Sequence, residues 1–378
     1  MRNEAMYEEL IELLTTDSAS GKEGLIADRL AEKLAALGFT VSRDQAGETF
    51  GGECGNVFGV REGELDGALL LCSHMDRVPG GLGIRPVEKD GILYSDGSTI
   101  LAADDISGVA VILEGIRRVL RSGKPLPRLE VYFTVGEEAG LFGAKATDIR
   151  IFQAETGYIF DSPGGVGRFL NAAPGAYELG CEIRGLAAHA GNEPEKGINA
   201  AKIMADILAG LPQGRLDAET TSNFPILSTG TKVTNVVCDF AQLQGEARSR
   251  SRQKLEDYVA CFEKFCKERG EAQGAQVTVR KESRFLPFLI PEEDSCVRIA
   301  AEACARIGLQ AHFEAGGGGM DANIFNAQGM RTIGVATGYT RNHTVHEQLV
   351  LEDFFKAGEL AQSLIETFAE SCKEMAHE

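Results

Sequence analysis

Four short apolar runs constrain the fold of this 378-residue chain more than any other feature. They read ALLLCS, LEVYFTV, GYIF and TIGVA, and they lie at residues 68–73, 129–135, 157–160 and 332–336. Runs that are this short and this uniformly apolar predict strands that are buried on both faces and mainly parallel. Apolar residues recur at helical spacing within residues 105–121, which predicts a crossover helix between the first two strands and an α/β fold.

A different pattern interrupts this one between residues 174 and 283. Its predicted elements are strand 177–183, helix 198–209, strands 224–229 and 233–246, helix 253–269 and strand 276–280. This βαββαβ order is that of a ferredoxin-like module. The chain also exceeds the ~250–300 residues that one hydrophobic core supports. We therefore predict a mainly parallel-sheet catalytic domain made of residues 1–173 and 284–378, with a lid domain inserted at residues 174–283.

Charge and cysteine content narrow the expected partners and compartment. Asp and Glu outnumber Lys and Arg by 56 to 38, and the net charge of −18 repels nucleic-acid backbones and anionic lipids. The nine cysteines include no CxxC pair and are odd in number, which argues against a disulfide framework. The N-terminal segment does not resemble a signal peptide, and no apolar run is long enough to span a bilayer. We therefore expect a cytoplasmic protein with no nucleic-acid or membrane partner.

Acidic and imidazole side chains follow three of the predicted strands. His74 and Asp76 follow the first strand, Glu137 and Glu138 follow the second, and Asp161 follows the third. Because the carboxyl ends of parallel strands meet at one edge of a sheet, we expect these side chains to converge. Massed carboxylates repel one another unless a cation lies among them, and histidine with several acids is the ligand mix of zinc, manganese or cobalt. The pattern predicts a divalent-metal site.

Two further segments carry residues of the same kinds. Asp104 and Asp105 begin the crossover helix, where a single aspartate would be enough to cap it. His343 and His346 follow the last apolar strand, and the chain contains only six histidines. Either segment could therefore contribute to the predicted metal site.

These motifs, taken in order, resemble a known family over essentially the whole chain. The chain resembles the peptidase T (tripeptide aminopeptidase) branch of the two-zinc exopeptidases, which are related to carboxypeptidase G and aminoacylase. That resemblance implies a zinc-binding α/β domain interrupted by a βαββαβ lid that often dimerises. The matching motifs are His74-Met75-Asp76, Ala103-Asp104-Asp105-Ile106-Ser107-Gly108, Gly136-Glu137-Glu138, Asp161, Ala188-His189-Ala190-Gly191, Thr234-Asn235-Val236-Val237, Glu246-Ala247-Arg248-Ser249 and His346-Glu347.

The resemblance also implies a role for each matching residue. The cofactors would be two divalent ions, zinc in the first place, with cobalt or manganese as alternatives. Glu137 would be the general base for a water shared by the two cations, and Asp76 would orient His74. Asp105 would bridge both ions, because it stands three residues before Gly108 as the bridging acid does in the family. The remaining ligands would be His74 and Asp161 for one ion and Glu138 and His346 for the other.

The same resemblance implies contacts to the substrate from the lid. His189 would help to stabilise the oxyanion, in its own protomer or across a homodimer formed by the lid. Arg248 would grip a substrate carboxylate, and Asn235 would be a further substrate contact. Arg77 and Ile106 depart from the residues that the family commonly has. We expect these positions to border the cleft, so the departures leave the substrate preference open.

The predicted function is hydrolysis of short peptides from the N-terminus. A rival on the same metal site is an N-acyl amino acid deacylase or a carboxypeptidase. A rival of another class is a metal-binding protein without turnover. Glu137 argues against the last alternative, since a protein that only binds metal does not need an extra carboxylate beside a ligand.

Overall fold

Helices and strands alternate along the chain, as the apolar pattern predicts. The structure is a computed structural model that describes residues 2–375. Its helices are α1 (Glu4–Leu14), α2 (Gly24–Ala36), α3 (Ala103–Ser122), α4 (Phe142–Ala146), α5 (Ala200–Gly210), α6 (Arg252–Glu271), α7 (Ser295–Arg306), α8 (Asp321–Gln328) and α9 (Leu351–Met375). No helix within this described part is long and apolar enough to cross a membrane.

The strands fall into three sheets. In chain order they are β1 (Thr40–Arg43), β2 (Val57–Arg61), β3 (Ala68–His74), β4 (Pro86–Lys89), β5 (Ile92–Ser95), β6 (Arg128–Thr134), β7 (Thr156–Ser162), β8 (Arg168–Ala173), β9 (Gly175–Arg184), β10 (Gly214–Arg215), β11 (Thr220–Thr229), β12 (Phe240–Ser249), β13 (Gln276–Phe285), β14 (Phe288–Leu289), β15 (His312–Ala315), β16 (Arg331–Ala336), β17 (Tyr339–Thr340) and β18 (Gln348–Val350).

The chain divides into two compact units. One unit, called here the inserted unit, consists of Ala173–Phe288 together with Gly317–Gly319. The other described residues make up the second unit, called here the main unit.

The largest sheet belongs chiefly to the main unit and has the order β1-β2-β6-β3-β7-β16-β8-β14, with β15 beside β8. β3 runs parallel to β6 and β7, and β7 runs parallel to β16. These four strands are the four apolar runs of the sequence, so the predicted mainly parallel α/β fold is confirmed. Every residue of β3 and β7 is buried, because helices cover this part of the sheet.

Helix α3 is the crossover helix and packs tightly on the C-terminal helix α9. Gly115 lies so close to α9 that a Cβ atom there would come within 2.5 Å of the Ala361 Cβ. The helix begins at Ala103, directly after the segment that follows β5. This start places Asp104 and Asp105 at the edge of the sheet where β3, β6 and β7 end.

The inserted unit contains an antiparallel sheet with the order β10-β11-β12-β9-β13. Leaving aside the two-residue β10, its strands and its helices α5 and α6 follow the βαββαβ order of a ferredoxin-like fold. Apolar residues of the sheet and both helices form its core, including Leu179, Ile183, Leu243 and Phe262. The strand predicted at residues 233–246 begins only at Phe240. The β-branched segment before it is a loop whose Val236 makes one isolated bridge to His189.

A small antiparallel sheet with the order β17-β18-β5-β4 was not predicted from the sequence. β17 and β18 pair with each other, and β18 also pairs with β5. Residues 341–347 form the loop between β17 and β18. The pairing with β5 holds this loop near the segment that leads into α3.

Candidate metal centre

Side chains from three strand ends and the start of α3 converge in the main unit. His74 is the last residue of β3, and its Nε2 lies 3.2 Å from Asp104 Oδ1 and 4.0 Å from Asp161 Oδ1. The donor atoms of these three residues all lie within 4.8 Å of one another. All three side chains are buried. One imidazole nitrogen and two carboxylate oxygens thus form a first donor group.

A second donor group shares Asp104 with the first. His343 Nε2 lies 2.7 Å from Glu138 Oε1 and 3.2 Å from Asp104 Oδ2. These donor atoms also lie within 4.8 Å of one another. Asp104 therefore presents one oxygen to each group. The mixture of imidazole and carboxylate donors fits two divalent cations bridged by one carboxylate.

The concentration of buried acids perturbs their protonation. Burial, together with the charge of Asp104, raises the pKa of Asp161 to about 8. Burial also raises the pKa of Glu137 well above its usual range. Asp104 is buried too, but hydrogen bonds from His343 and His74 hold its pKa well below the usual range. Divalent cations between these groups would offset the repulsion, so the electrostatics agree with a metal centre.

Asp76 supports both the histidine and the two glutamates. The backbone oxygen of Asp76 lies 3.1 Å from His74 Nδ1, where the ring N–H can donate to it. The carboxylate accepts hydrogen bonds from the backbone N–H groups of Glu137 and Glu138, at 3.0 and 3.2 Å. Its Oδ2 also accepts the Ser20 hydroxyl at 2.6 Å. Asp76 thus fixes the ring of His74 and leaves its Nε2 free to face the carboxylates.

The segment from β17 through the following loop supports the carboxylates. The Tyr339 hydroxyl donates to Asp161 Oδ1 at 3.0 Å, and the Asn342 amide donates to Asp104 Oδ2 at 2.6 Å. Neither residue was predicted as part of the site. One feature of the sequence points to Asn342, because it directly precedes His343, one of the two histidines that could contribute to the predicted metal site.

Glu347 holds the start of α3 from the same segment. Its carboxylate accepts the backbone N–H groups of Leu101, Ala102 and Asp104, at 3.0, 2.7 and 3.0 Å. These bonds fix the backbone at Asp104. Burial raises the pKa of Glu347 to about 7.

Comparison with protein families assigns the chain to a known family. The model of the peptidase family M20/M25/M40 matches residues 70–367, which is well over half of the chain. The chain belongs to this family. The match includes each of the residues that form the two donor groups.

Relatives and solved structures agree with the family. A Bacillus subtilis protein described as uncharacterized protein YqjE is 36% identical over 365 residues, covering 96% of this chain and 98% of its own length. The structure of aminopeptidase PepT from Bacillus cereus has a TM-score of 0.92 at 37% identity and covers 98% of this chain and 99% of its own. A tripeptidase from Staphylococcus aureus has a TM-score of 0.93 at 31% identity and covers 98% of this chain and 100% of its own.

These matches confirm the resemblance to the peptidase T branch of the M20/M25/M40 family. The protein is accordingly a metallopeptidase, and its substrates are peptides. The matching chains align over nearly their whole length, so both units of this M20/M25/M40 peptidase have counterparts in the solved structures.

The structure contradicts the choice of Asp105 as the bridging acid. The Asp105 carboxylate accepts hydrogen bonds from the Ser73 hydroxyl and from the His74 backbone N–H, the latter at 3.2 Å. It takes part in neither donor group, whereas Asp104 takes part in both. The count of residues to Gly108 could not reveal this, because it does not say which of two adjacent side chains faces the site. The peptide bond between the two aspartates is cis.

His343, and not His346, lies in the second donor group. His346 is exposed, and its backbone N–H donates to the Thr344 hydroxyl at 3.2 Å. The backbone of Arg341 and His343 has positive φ angles of 58° and 63°. Few residues other than glycine adopt this left-handed conformation, so no residue pattern indicates that the loop turns His343 toward the acids.

The inserted unit brings two of the predicted substrate contacts together. His189 is exposed, and its Nδ1 accepts the backbone N–H groups of Gly191 and Asn192, both at 3.2 Å. This leaves Nε2 as the nitrogen that carries a hydrogen and can donate. The Asn235 carbonyl accepts the Ala190 N–H at 2.9 Å, so Asn235 lies beside the His189 segment.

Arg248 lies on β12 and is already paired. Its Nε and Nη2 bind the two carboxylate oxygens of Glu246 at 2.9 and 3.0 Å. The guanidinium is only partly buried. This planar two-point geometry is the one that an arginine uses to bind a carboxylate. The role of Arg248 in binding substrate remains a prediction.

Arg77 and Ile106 are buried and do not line a cleft. The expectation that their side chains border the cleft is therefore wrong. Burial lowers the pKa of Arg77 to about 10. Its guanidinium ties the end of α1 to the segment after β3, since it donates to the Ser18 hydroxyl and to the backbone oxygens of Leu13, Leu14, Thr16 and Gly81.

Proposed function

We propose that this peptidase is a metal-dependent aminopeptidase that removes the N-terminal residue from short peptides, above all from tripeptides. Two donor groups share Asp104, and the Glu137 carboxylate lies within 4.8 Å of donor atoms of His74 and Glu138. The solved neighbours described as an aminopeptidase and a tripeptidase support the same reaction.

The donor groups divide the ligands between two ions. His74 and Asp161 would hold one ion, Glu138 and His343 would hold the other, and Asp104 would bind both. When bound, divalent ions polarise the substrate carbonyl and make water more acidic. Histidine and carboxylate donors favour zinc, and cobalt or manganese use the same donors.

Glu137 would act as the general base and then as the general acid. It takes a proton from the water that adds to the carbonyl carbon of the first peptide bond. It then delivers that proton to the nitrogen as the C–N bond breaks, so the products are a free amino acid and a shortened peptide. Burial raises the pKa of the Glu137 carboxyl, and the charge of bound cations would lower it.

The inserted unit would supply the substrate contacts. In this proposal residues 174–283 form a lid, and residues 1–173 and 284–378 form the catalytic domain. The His189 Nε2–H would stabilise the developing oxyanion. Arg248 would bind the substrate C-terminal carboxylate, and Asn235 would be a further contact. The compact fold of Ala173–Phe288 supports a separate lid, and we propose that two lids form a homodimer.

We also propose a cytoplasmic location. All nine cysteines are free in the structure, and most are buried. Free thiols in this number are typical of a reducing compartment.

A substrate panel tests the proposed reaction against its nearest rivals. The panel contains a free tripeptide, the same tripeptide with an acetylated N-terminus, and an N-acetyl amino acid, each incubated with metal-loaded protein. We expect the free tripeptide to yield its first residue and a dipeptide, and we expect both blocked compounds to persist. Faster cleavage of the N-acetyl amino acid would identify a deacylase instead. Release of the last residue from the acetylated tripeptide would identify a carboxypeptidase.

A further inference from the structure

Three consecutive backbone N–H groups around the proposed base donate to two buried carboxylates. The Gly136 N–H donates to Glu23 Oε1 at 3.0 Å. The N–H groups of Glu137 and Glu138 donate to the two oxygens of Asp76, at 3.0 and 3.2 Å. The proposed base therefore lies in a turn in which each of these three N–H groups donates to a buried carboxylate. Asp76 is part of the motif beside His74, but nothing so far gives Glu23 a role.

Glu23 is an unusual residue to find buried. It is 0% exposed and directly precedes α2, but its side chain does not cap that helix. Its Oε1 accepts the Gly21 N–H at 2.8 Å as well as the Gly136 N–H, and its Oε2 has no hydrogen-bond partner among residues 2–375. Burying a carboxylate with one oxygen unsatisfied costs stability. Its two hydrogen bonds join the loop before α2 to the turn after β6.

The turn that Glu23 holds is tightly constrained. Gly136 has a φ of +59°, and a Cβ atom there would lie 2.7 Å from Phe50 Cζ. Phe50 in turn stacks on Phe142, with ring centroids 4.8 Å apart. Position 136 therefore requires glycine, which has no side chain that could anchor the turn. The direction of the turn depends instead on the hydrogen bonds of its backbone.

The same loop before α2 also holds the second carboxylate. The Ser20 hydroxyl donates to Asp76 Oδ2 at 2.6 Å. Residues 20–23 thus support the turn in two ways. Ser20 binds Asp76, which accepts the N–H groups of Glu137 and Glu138, and Glu23 accepts the Gly136 N–H. This loop lies outside the 70–367 segment that the family model matches.

We propose that Glu23 is a positioning residue for Glu137. By accepting the Gly136 N–H it fixes the peptide plane that precedes Glu137, and so the direction in which the Glu137 carboxylate points. The inference rests on the proposed role of Glu137 as the general base. A displacement of about 1 Å in a reacting group can lower a rate by up to about 100-fold, so a single hydrogen bond in this place can matter.

Three variants of Glu23 separate the hydrogen bond from charge and volume. Glu23→Gln keeps the length and an acceptor oxygen without the charge. Glu23→Leu keeps the approximate volume without an acceptor, and Glu23→Asp keeps the charge but withdraws the acceptor by one methylene. Glu53→Gln is the matched control, because Glu53 Oε1 accepts the nearby Gly24 N–H at 2.9 Å from a side chain that is 41% exposed.

Steady-state kinetics with a tripeptide should rank the variants. We expect Glu23→Gln and Glu53→Gln to keep kcat within about threefold of the wild type, and Glu23→Leu and Glu23→Asp to lower kcat about 10-fold to 100-fold with KM and bound metal unchanged. An undiminished kcat in Glu23→Leu would overturn the proposal. An equal loss in Glu23→Gln and Glu23→Asp would also overturn it. Should Glu23→Leu not fold, the comparison of the Gln and Asp variants stands by itself.

Amide hydrogen exchange gives a readout that does not depend on activity. We expect the peptide covering residues 135–141 to exchange faster in Glu23→Leu and Glu23→Asp than in the wild type, Glu23→Gln or Glu53→Gln. Unchanged exchange in the Leu and Asp variants would overturn the proposal. If the wild type itself cleaves no peptide, the proposed function fails, whereas the exchange data still decide whether Glu23 anchors the turn.

Discussion

Asp104 is central to the site because its two carboxylate oxygens face different donor groups. Oδ1 lies near His74, and Oδ2 lies near His343 and the Asn342 amide. A carboxylate placed in this way would couple two metal positions. The histidine on each side completes its group, so the loss of either imidazole should weaken metal binding.

The two histidines of the β17–β18 loop provide a matched pair of variants. His343→Ala should lower the content of bound metal and reduce kcat at least about 10-fold, because it removes the imidazole beside Glu138 and Asp104. His346→Ala should leave both within about twofold of the wild type, because that side chain is exposed and lies outside both donor groups. Elemental analysis and a tripeptide assay measure the two effects. The opposite ranking would restore His346 as the ligand.

A substitution of Glu137 tests the proton transfer separately from metal binding. Glu137→Gln keeps the size of the side chain but cannot accept the proton from water. We expect kcat to fall on the order of 10² or more, with metal content and thermal stability maintained. An unchanged kcat at full metal content would assign the base to another group.

The sequence predicted the kinds of residues in the site better than their individual identities. His74, Glu138 and Asp161 could be predicted because they end buried parallel strands, whose carboxyl ends must meet. The choice between Asp104 and Asp105 depends on the backbone at the start of α3. No periodicity in the sequence records that local geometry.

At the scale of elements, the main strands were predictable and the connections were not. The four apolar runs became β3, β6, β7 and β16, because a strand buried on both faces has little choice of residue type. The β17–β18 hairpin could not be predicted, because strands of two and three residues are too short to show a pattern in the sequence. The loop that it encloses positions His343 through a left-handed backbone, which depends on tertiary contacts.

Arg77 connects the end of α1 to the segment after β3, so its replacement should destabilise the fold. Arg77→Met should lower the free energy of unfolding by about 2–4 kcal/mol, because buried backbone oxygens at the end of α1 lose their donors. Relative kcat/KM values for different tripeptides should stay the same. Arg121→Met is the control, since Arg121 is an exposed residue in the last turn of α3. Urea unfolding measures the first effect, and a changed tripeptide preference without lost stability would contradict this account.

At the scale of the whole molecule, the proposed reaction uses residues of both units. The proposed metal ligands and Glu137 belong to the main unit, while His189, Asn235 and Arg248 belong to the inserted unit. A substrate that must meet residues of both units has a limited span, because an extended peptide covers roughly 3.3–3.6 Å per residue. This is the physical basis for expecting tripeptides to be preferred over long polypeptides.

The C-terminus of the substrate tests the proposed role of Arg248. Amidation of a good tripeptide should lower kcat/KM by about 10-fold to 100-fold, because it removes a charge-assisted pair worth about 1.5–3 kcal/mol. Arg248→Ala should cause a similar loss with the free acid and little further loss with the amide. Equal cleavage of acid and amide by the wild type would mean that Arg248 serves only its pair with Glu246.

In the proposed reaction, hydrolysis of a free tripeptide depends on two bound divalent ions. The most direct measurement is a titration of chelator-treated protein with zinc, cobalt or manganese, in which bound ions per chain and release of the N-terminal residue are recorded together. We predict no release from metal-free protein and full recovery as about two ions bind per chain. Full activity in protein shown to contain no metal would mean that the reaction does not need bound ions.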